Sequence, residues 1–402
     1  MNNNFVLADQ KTDWEFLLPL TYFREISNIR VGILKIREKW EKYLGAGASV
    51  SPVGYLKEIK GDAPPAELFV RSNVLPSKKL AERILRLQPD ECLMNTRNEW
   101  LACKTRGLLT PDEFRKLLTD KLFRAVSCSE SLLIRHPWQL TLFNAEEIRK
   151  DFKLSGLSSH VPDRVSIRGD YPVYIHPEAV VTDLYVDAAD GPVYIEKDVQ
   201  ILPFGFIQGP AAVMYHSVVK AGTRLYNGTT LGPWTKVGGE IKNVLFFGYS
   251  NKGHDGFLGD SVIGEWCNFG AGTSNSNLKN NYSEIRVWSI PRKEFISTGR
   301  QFLGLVMGDH SKTAINSSLN TGSVIGVSSN IITRNFPPKF VNSFNWGGER
   351  LERNYLPEKA MDTARRVMAR RNAEFEGRYR KIFEAVYAFS GKIEGVAETV
   401  TG

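Results

Sequence analysis

The sequence predicts an α/β domain, then a triangular parallel β-helix, then a helical tail, and three patterns carry that reading. Residues 1–155 mix amphipathic helical spacing with short apolar runs, residues 165–336 repeat an aliphatic side chain every six positions, and residues 337–402 return to helical spacing. At 402 residues the chain is long enough for two or three domains, and 42% hydrophobic with 24% charged residues is ordinary globular composition.

In the first segment FVLA and ELFV read as buried strands, while IREKWEKYL, PSKKLAERILRL and TPDEFRKLLTDKLFRAV read as amphipathic helices. HPWQLTLFNAEEIRKDF opens on a turn and runs as a helix into the next segment.

A ruler sets the second segment. Ile195, Ile201, Ile207, Val213, Val219, Leu225, Leu231 and Val237 stand six positions apart with small residues between them, and IHPEAV begins the series at Ile175 and Val181. That period fits neither the ~3.6 of a helix nor the ~2 of a single strand. It fits a coil of short strands and tight corners, each unit one side of a triangle with its aliphatic residue inward. After Val237 the ruler loses phase and resumes as Phe257, Ile263 and Phe269, so NVLFFGYSNKGHDG reads as an insertion. A second excursion, LKNNYSEIRVWSIPRKEFISTGRQF, precedes hexads around Ile315, Thr321 and Val327. Interruptions of a regular scaffold are where sites are expected.

The tail PEKAMDTARRVMARRNAEFEGRYRKIFEAVYAF reads as one or two helices with Val367, Met368, Phe375, Ile382, Phe383 and Val386 on an apolar face. Net charge is +8, spread along the chain except in ARRVMARRN, which reads as a solvated helix face. With no recognisable module and no basic surface interleaved with aromatics, nucleic acid is not an expected partner. The charge suits anionic small molecules such as sugar phosphates or coenzyme A. No window reaches ~18 consecutive apolar residues and the N-terminus lacks a leader pattern, so a cytoplasmic protein with no membrane partner is expected. Cys92, Cys103, Cys128 and Cys267 show no CxxC or CxxH spacing and are expected to be reduced and structural, with no metal site.

The hexads together with HDGFLGDSVIGEWCNFGAGTSNSN resemble the acetyltransferase half of bifunctional N-acetylglucosamine-1-phosphate uridyltransferases, a left-handed β-helix family that works as trimers. The likeness covers roughly residues 170–335: a histidine, an aromatic three residues on, LGD, an IG hexad, then N-x-G-A-G-T and a further asparagine. It implies that His254 is the general base accepting a proton from a sugar amine that attacks acetyl-CoA, chemistry suited to histidine near neutral pH. It implies that Arg224 and Lys242 grip the sugar phosphate, 18 residues apart and with 12 more from Lys242 to His254. Phe257 stands where the family has tyrosine, Asn268 and Asn277 would orient the substrate, and Ala271 would meet acetyl-CoA through its backbone. Against this stands the plain reading of His254 as a turn residue between glycines; His176 and His310 lack such company and read as structural.

The same resemblance implies that residues 1–155 form a nucleotidyltransferase-like domain joining a nucleoside triphosphate to a sugar 1-phosphate, with Mg2+ if active. LLPLTYFREISNIRVGILKIREKWEKYL is similar to the segment after the first strand in divergent sugar nucleotidyltransferases with β-helix tails. The glycine-rich loop that cradles phosphates there is replaced by FVLADQKTDWEFLLPL, with no glycine before Gly32. Arg24 is the candidate phosphate contact, with Arg30 and Lys35, against a reading of all three as surface charges. Asp9 and Asp90 are candidate magnesium ligands. Three functions compete: acyl transfer from acetyl-CoA to an amino-sugar phosphate or sugar nucleotide by a homotrimer; sugar-1-phosphate nucleotidyl transfer with the coil as trimerisation scaffold; and a non-catalytic sugar-phosphate-binding trimer.

Overall fold

The structure is a computed structural model that describes residues 4–348 and 352–394. Two compact units divide it: Met1–Leu17, Arg24–Arg30 and Leu34–His136 form one, and Leu18–Phe23, Val31–Ile33 and Pro137–Gly402 the other.

The first unit is built on a six-stranded sheet in the order Ala48–Ser51, Phe5–Ala8, Ala66–Arg71, Trp100–Leu109, Glu91–Asn95, Arg124–Cys128. Both apolar runs are strands as expected. Phe5–Ala8 is buried throughout and runs parallel to its two neighbours, as the near-continuous apolar strand of a covered parallel sheet does. Helices Ile36–Leu44, Lys78–Leu85 and Pro111–Thr119 fall where the helical spacing puts them. The last is started by Thr110, whose hydroxyl accepts from the Glu113 N–H while the Glu113 carboxylate accepts from the Thr110 N–H. The helix stops at Thr119, and the LFRAV end of that stretch turns into the strand Arg124–Cys128.

One cysteine expectation is overturned. Cys92 and Cys103 form a disulfide, because antiparallel pairing of Glu91–Asn95 with Trp100–Leu109 sets them directly opposite. A spacing of 11 carries no CxxC-like signal, so only the strand register reveals the pair. Cys128 and Cys267 are free and buried.

The second unit is a parallel β-solenoid followed by helices. Its nine-stranded sheet runs without a break from Val180–Val181 to Trp346–Gly347, every rung parallel and in register with the next. The ruler residues from Ile195 to Val237 line the core, each essentially inaccessible. The last strands, Phe340–Val341 and Trp346–Gly347, lie beyond Pro337. Helices Pro357–Ala369 and Arg378–Ile393 follow, with Met368, Phe375, Ile382, Phe383 and Val386 buried. No helix among the described residues is long and apolar enough to cross a membrane.

Past Val237 the phase differs from the expected one. The inward residues are Ile241, Phe246, Lys252, Leu258, Ile263 and Phe269, so NVLFFGYSNKGHDG is a shortened coil and no insertion. Two things hid it. The strand Glu240–Gly248 runs through a corner and pairs with two strands below, and a lysine fills a slot the ruler reserves for an aliphatic side chain. Phe257 therefore points outward while Leu258 takes the inward slot. Beyond the second excursion the inward set is Thr313, Leu319, Ile325 and Ile331; Ile315 projects from a corner, 69% exposed. That excursion is a real insertion, an arm holding the antiparallel hairpin Arg286–Ser289/Glu294–Ser297.

Candidate functional site

Three neighbouring strands of the solenoid, Arg224–Tyr226, Glu240–Gly248 and Phe257–Glu265, carry the anticipated Arg224, Lys242 and Phe257. Pairing sets Arg224 opposite Glu240 and Glu240 opposite Phe257, and likewise Tyr226 opposite Lys242 and Lys242 opposite Gly259. Leu225, Ile241 and Leu258 are buried in the core, so strand alternation turns Arg224, Glu240, Lys242 and Phe257 outward onto one face. Arg224 Nη2 donates to Glu240 Oε2 at 3.2 Å. Arg224 is about half exposed, and such surface pairs contribute only about 0–1 kcal/mol, so the guanidinium is readily released to an anionic ligand.

A side chain at Gly259 would collide with the Phe257 ring at 2.5 Å and stand 3.0 Å from Asn277 Nδ2. The phenyl ring thus lies over Gly259 beside Asn277. Asp260, which the sequence reading did not single out, accepts from Asn243 Nδ2 at 2.7 Å and from Asn277 Nδ2 at 2.6 Å. This fixes the Asn277 amide and leaves its carbonyl oxygen as the acceptor available to a ligand N–H or O–H. Asp260 sits in the quoted LGD, and its closeness to Asn277 depends on a contact between successive coils that no local pattern shows.

His254 is exposed at the corner that joins Asn251–Lys252 to Phe257–Glu265. Stacked corners follow it along the solenoid: Gly272 N–H donates to Asp255 O at 3.2 Å, and Asn316 N–H to Ala271 O at 2.7 Å. Ala271 accordingly occupies the next coil's version of the His254 position. Gly256 is required here, since with φ near 118° a Cβ would lie 2.2 Å from Thr273 O; at Gly253 a Cβ would meet nothing.

The anticipated set is therefore gathered only in part. Arg224, Lys242, Phe257 and Asn277 share one face and His254 stands at its edge, with Ala271 one coil on. Asn268 belongs to the nine-stranded face around the corner, between Asn251 and Lys312. His310 is structural, buried with its Nε2 2.6 Å from the Tyr379 hydroxyl, and His176 Nδ1 accepts from the Glu178 N–H in a turn.

In the first unit, Phe5–Ala8 lies between two parallel neighbours reached by connections that leave in opposite directions, the topology that opens a ligand crevice at the C-terminal ends of the strands. Asp9 stands at that end, fully buried, with Oδ2 accepting from the Ile26 N–H at 3.3 Å. Burial raises its pKa to about 7, helped by the charges of Glu25 and Asp13 and opposed by Ser72 and the Ile26 N–H. At the end of Ala66–Arg71, Arg71 makes a bidentate pair with Asp13 at 2.7 and 2.9 Å. Arg24 and Arg30 are buried, 7% and 6% exposed, and are not surface charges.

Asp90 cannot share an ion with Asp9. It precedes Glu91–Asn95, which runs parallel in sense to Phe5–Ala8, and so lies at the opposite edge of the sheet, paired with Arg106 at 2.8 Å. Among the described residues no three His, Cys, Asp or Glu side chains converge as a cation site. Gly32 does not supply the missing phosphate loop: its N–H donates to Asn144 Oδ1 at 2.7 Å, and a Cβ would strike Asp151 and Glu147.

Comparison with known proteins finds a likeness that takes in the first unit. Residues 5–158 match the family model described as sugar nucleotidyl transferase. The match covers less than half of the chain. Among curated relatives, a "Bifunctional sugar-1-phosphate nucleotidylyltransferase/acetyltransferase" of Sulfurisphaera tokodaii is 35% identical over 154 residues, 38% of this chain and 37% of that protein. A "Bifunctional protein GlmU" of Acidithiobacillus ferrooxidans is 27% identical over 235 residues, 54% of this chain and 48% of its own length. Another of that name, from Methanococcus maripaludis, is 31% identical over 196 residues, 49% and 42%. The chain spans less than half the length of these relatives. A nucleotidyl transferase domain followed by a β-solenoid is the arrangement that the resemblance implied.

Proposed function

We propose that the chain transfers an acetyl group from acetyl-CoA to the amine of an amino-sugar phosphate or sugar nucleotide, at the solenoid face beside His254. The supporting observation is the outward placement of Arg224 and Lys242 on neighbouring rungs, two residues out of register, on the face that holds Phe257 and Asn277, with His254 at the adjoining corner. Two cations fit a phosphate dianion, and the Asn277 carbonyl fits an amine N–H. The imidazole takes a proton from the amine as its nitrogen attacks the thioester carbonyl. The new C–N bond then replaces the C–S bond, and the sulfur leaves with that proton as the CoA thiol. A homotrimer belongs to this reading, in which a neighbouring coil completes the thioester site.

In this scheme Phe257 contributes a ring face and no hydroxyl, so phosphate binding rests on Arg224 and Lys242. His254→Ala is expected to lower CoA release, followed with a thiol reagent on acetyl-CoA and glucosamine 1-phosphate, by about 100-fold or more, with oligomeric state unchanged. Turnover equal to wild type rejects His254 as base.

A second activity, sugar-1-phosphate nucleotidyl transfer, is favoured by the family match and by the buried Asp9 at the C-terminal end of Phe5–Ala8. Pyrophosphate release across nucleoside triphosphates and sugar 1-phosphates with Mg2+ tests it. The observed donor set does not form a magnesium cage, so no step is written through the metal.

A further inference from the structure

Lys252 is the one inward slot of the shortened coil that holds a charge. It pairs in register with Val237 on the strand below, lies just before the turn carrying His254, and is 1% exposed. Its Nζ reaches His254 O at 2.9 Å, Asp255 O at 3.2 Å and Gly238 O at 3.5 Å. An ammonium has three donors and no acceptor. All three are therefore spent on backbone carbonyls of two successive corners, and two of those carbonyls belong to the turn that presents the imidazole.

The corner beneath is unusual. From the last inward residue to the next outward strand the chain takes Gly253 to Phe257, and Gly270 to Ser274, but only Gly238 to Glu240. The lower corner is two residues short and made of glycine. At Gly239, with φ near 78°, a Cβ would lie 2.7 Å from Gly256 O, so the upper turn rests directly on bare backbone. Above the shortened corner the ammonium holds His254 O and Asp255 O from inside the coil, and Asp255 O also accepts from the Gly272 N–H of the next corner at 3.2 Å. A valine or leucine in this slot would fill the core without the desolvation cost of a charge.

We propose that Lys252 is a positioning residue for acetyl transfer: it pins the Gly253–Gly256 turn from inside the coil and so fixes where His254 meets the amine. This rests on the acetyl-transfer reading above. In that reading a base displaced by about an ångström loses on the order of 10- to 100-fold in rate, while substrate contacts at Arg224, Lys242 and Asn277 stay in place.

The test compares wild type with Lys252→Met, which keeps the apolar stem, and Lys252→Gln, which restores a neutral donor. Hydrogen exchange of the peptide spanning residues 251–258 is measured beside steady-state kinetics on acetyl-CoA and glucosamine 1-phosphate. Faster exchange in that peptide alone, with kcat down about 10- to 100-fold, KM within twofold and partial recovery in Lys252→Gln, supports the proposal. Exchange at the turn unchanged, or faster exchange with kcat unchanged, overturns it. So does a rise confined to KM. If Lys252→Met does not assemble, Lys252→Gln alone decides by the same criteria. If wild type consumes no acetyl-CoA with any amino-sugar phosphate, the functional reading fails, and the exchange comparison still reports whether Lys252 holds the turn.

Discussion

Replacing Asp9 by asparagine is expected to stabilise the first unit, and increasingly so as pH rises. Asp9 is fully buried, and burial holds its pKa near 7 against an ordinary 3.8. Because the folded-state value is raised, the folded protein holds a proton that the unfolded chain gives up. Asp9 therefore weakens the fold progressively from about pH 4 to pH 7 and by a constant amount above that. The rise from 3.8 to about 7 corresponds to roughly 4 kcal/mol at the plateau, of which more than half develops between pH 5 and pH 8. The neutral amide of the Asp9→Asn variant carries no such penalty. Urea unfolding of the full chain at the two pH values, followed through the fluorescence of the buried Trp14 and Trp40 of that unit, should show the variant gaining on wild type by a few kcal/mol more at pH 8. An equal or smaller advantage at pH 8 would refute the claim that desolvation governs this carboxyl. If the same variant also loses pyrophosphate release, the destabilising acid is kept for chemistry.

Two other substitutions separate binding from positioning on the solenoid. Lys242→Ala should raise KM for the sugar phosphate about 10-fold or more with little change in KM for acetyl-CoA, because one charge-assisted contact is lost; an unchanged KM would show that the phosphate binds elsewhere. Asp260→Ala frees the amides of Asn243 and Asn277, and should lower kcat/KM for the amine substrate about 10-fold without altering its phosphate dependence, read by comparing amino sugars with and without the phosphate.

The solenoid was legible because its core repeats at a fixed spacing and each inward residue is chosen by burial alone. From Ile195 to Val237 the ruler and the structure agree residue for residue. It failed at Phe257 because a corner can drop a residue or two while the strands above and below stay in register, and at Ile315 because the inserted arm resets the count; a period counted along the chain sees neither. The face residues Arg224, Lys242, Phe257 and Asn277 were found through a motif. Glu240 and Asp260 were missed because their partners lie a coil away at Arg224 and Asn277, and Lys252 because a lysine in a core slot breaks the aliphatic ruler. In the first unit FVLA and ELFV announced their strands, whereas the Cys92–Cys103 bond and the opposite placement of Asp9 and Asp90 follow from strand direction, which composition does not encode.

The arm between Asn277 and Leu303 leaves and rejoins the solenoid through a closed neck: Leu303 N–H donates to Asn277 O at 2.9 Å, and Leu278 bridges to Phe302. On either side the coils pair as though nothing intervened, Val262 with Val306 and Ser274 with Ser318. The core is thus indifferent to how much chain the neck encloses, and each doubling of an enclosed flexible loop costs only about 0.6 kcal/mol. Such a junction is a natural port for modular exchange. Segments of other lengths and chemistries can be grafted or trimmed there without repacking the scaffold, and because the neck closes on the backbone of Asn277, whatever is grafted is delivered to the rim of the candidate site.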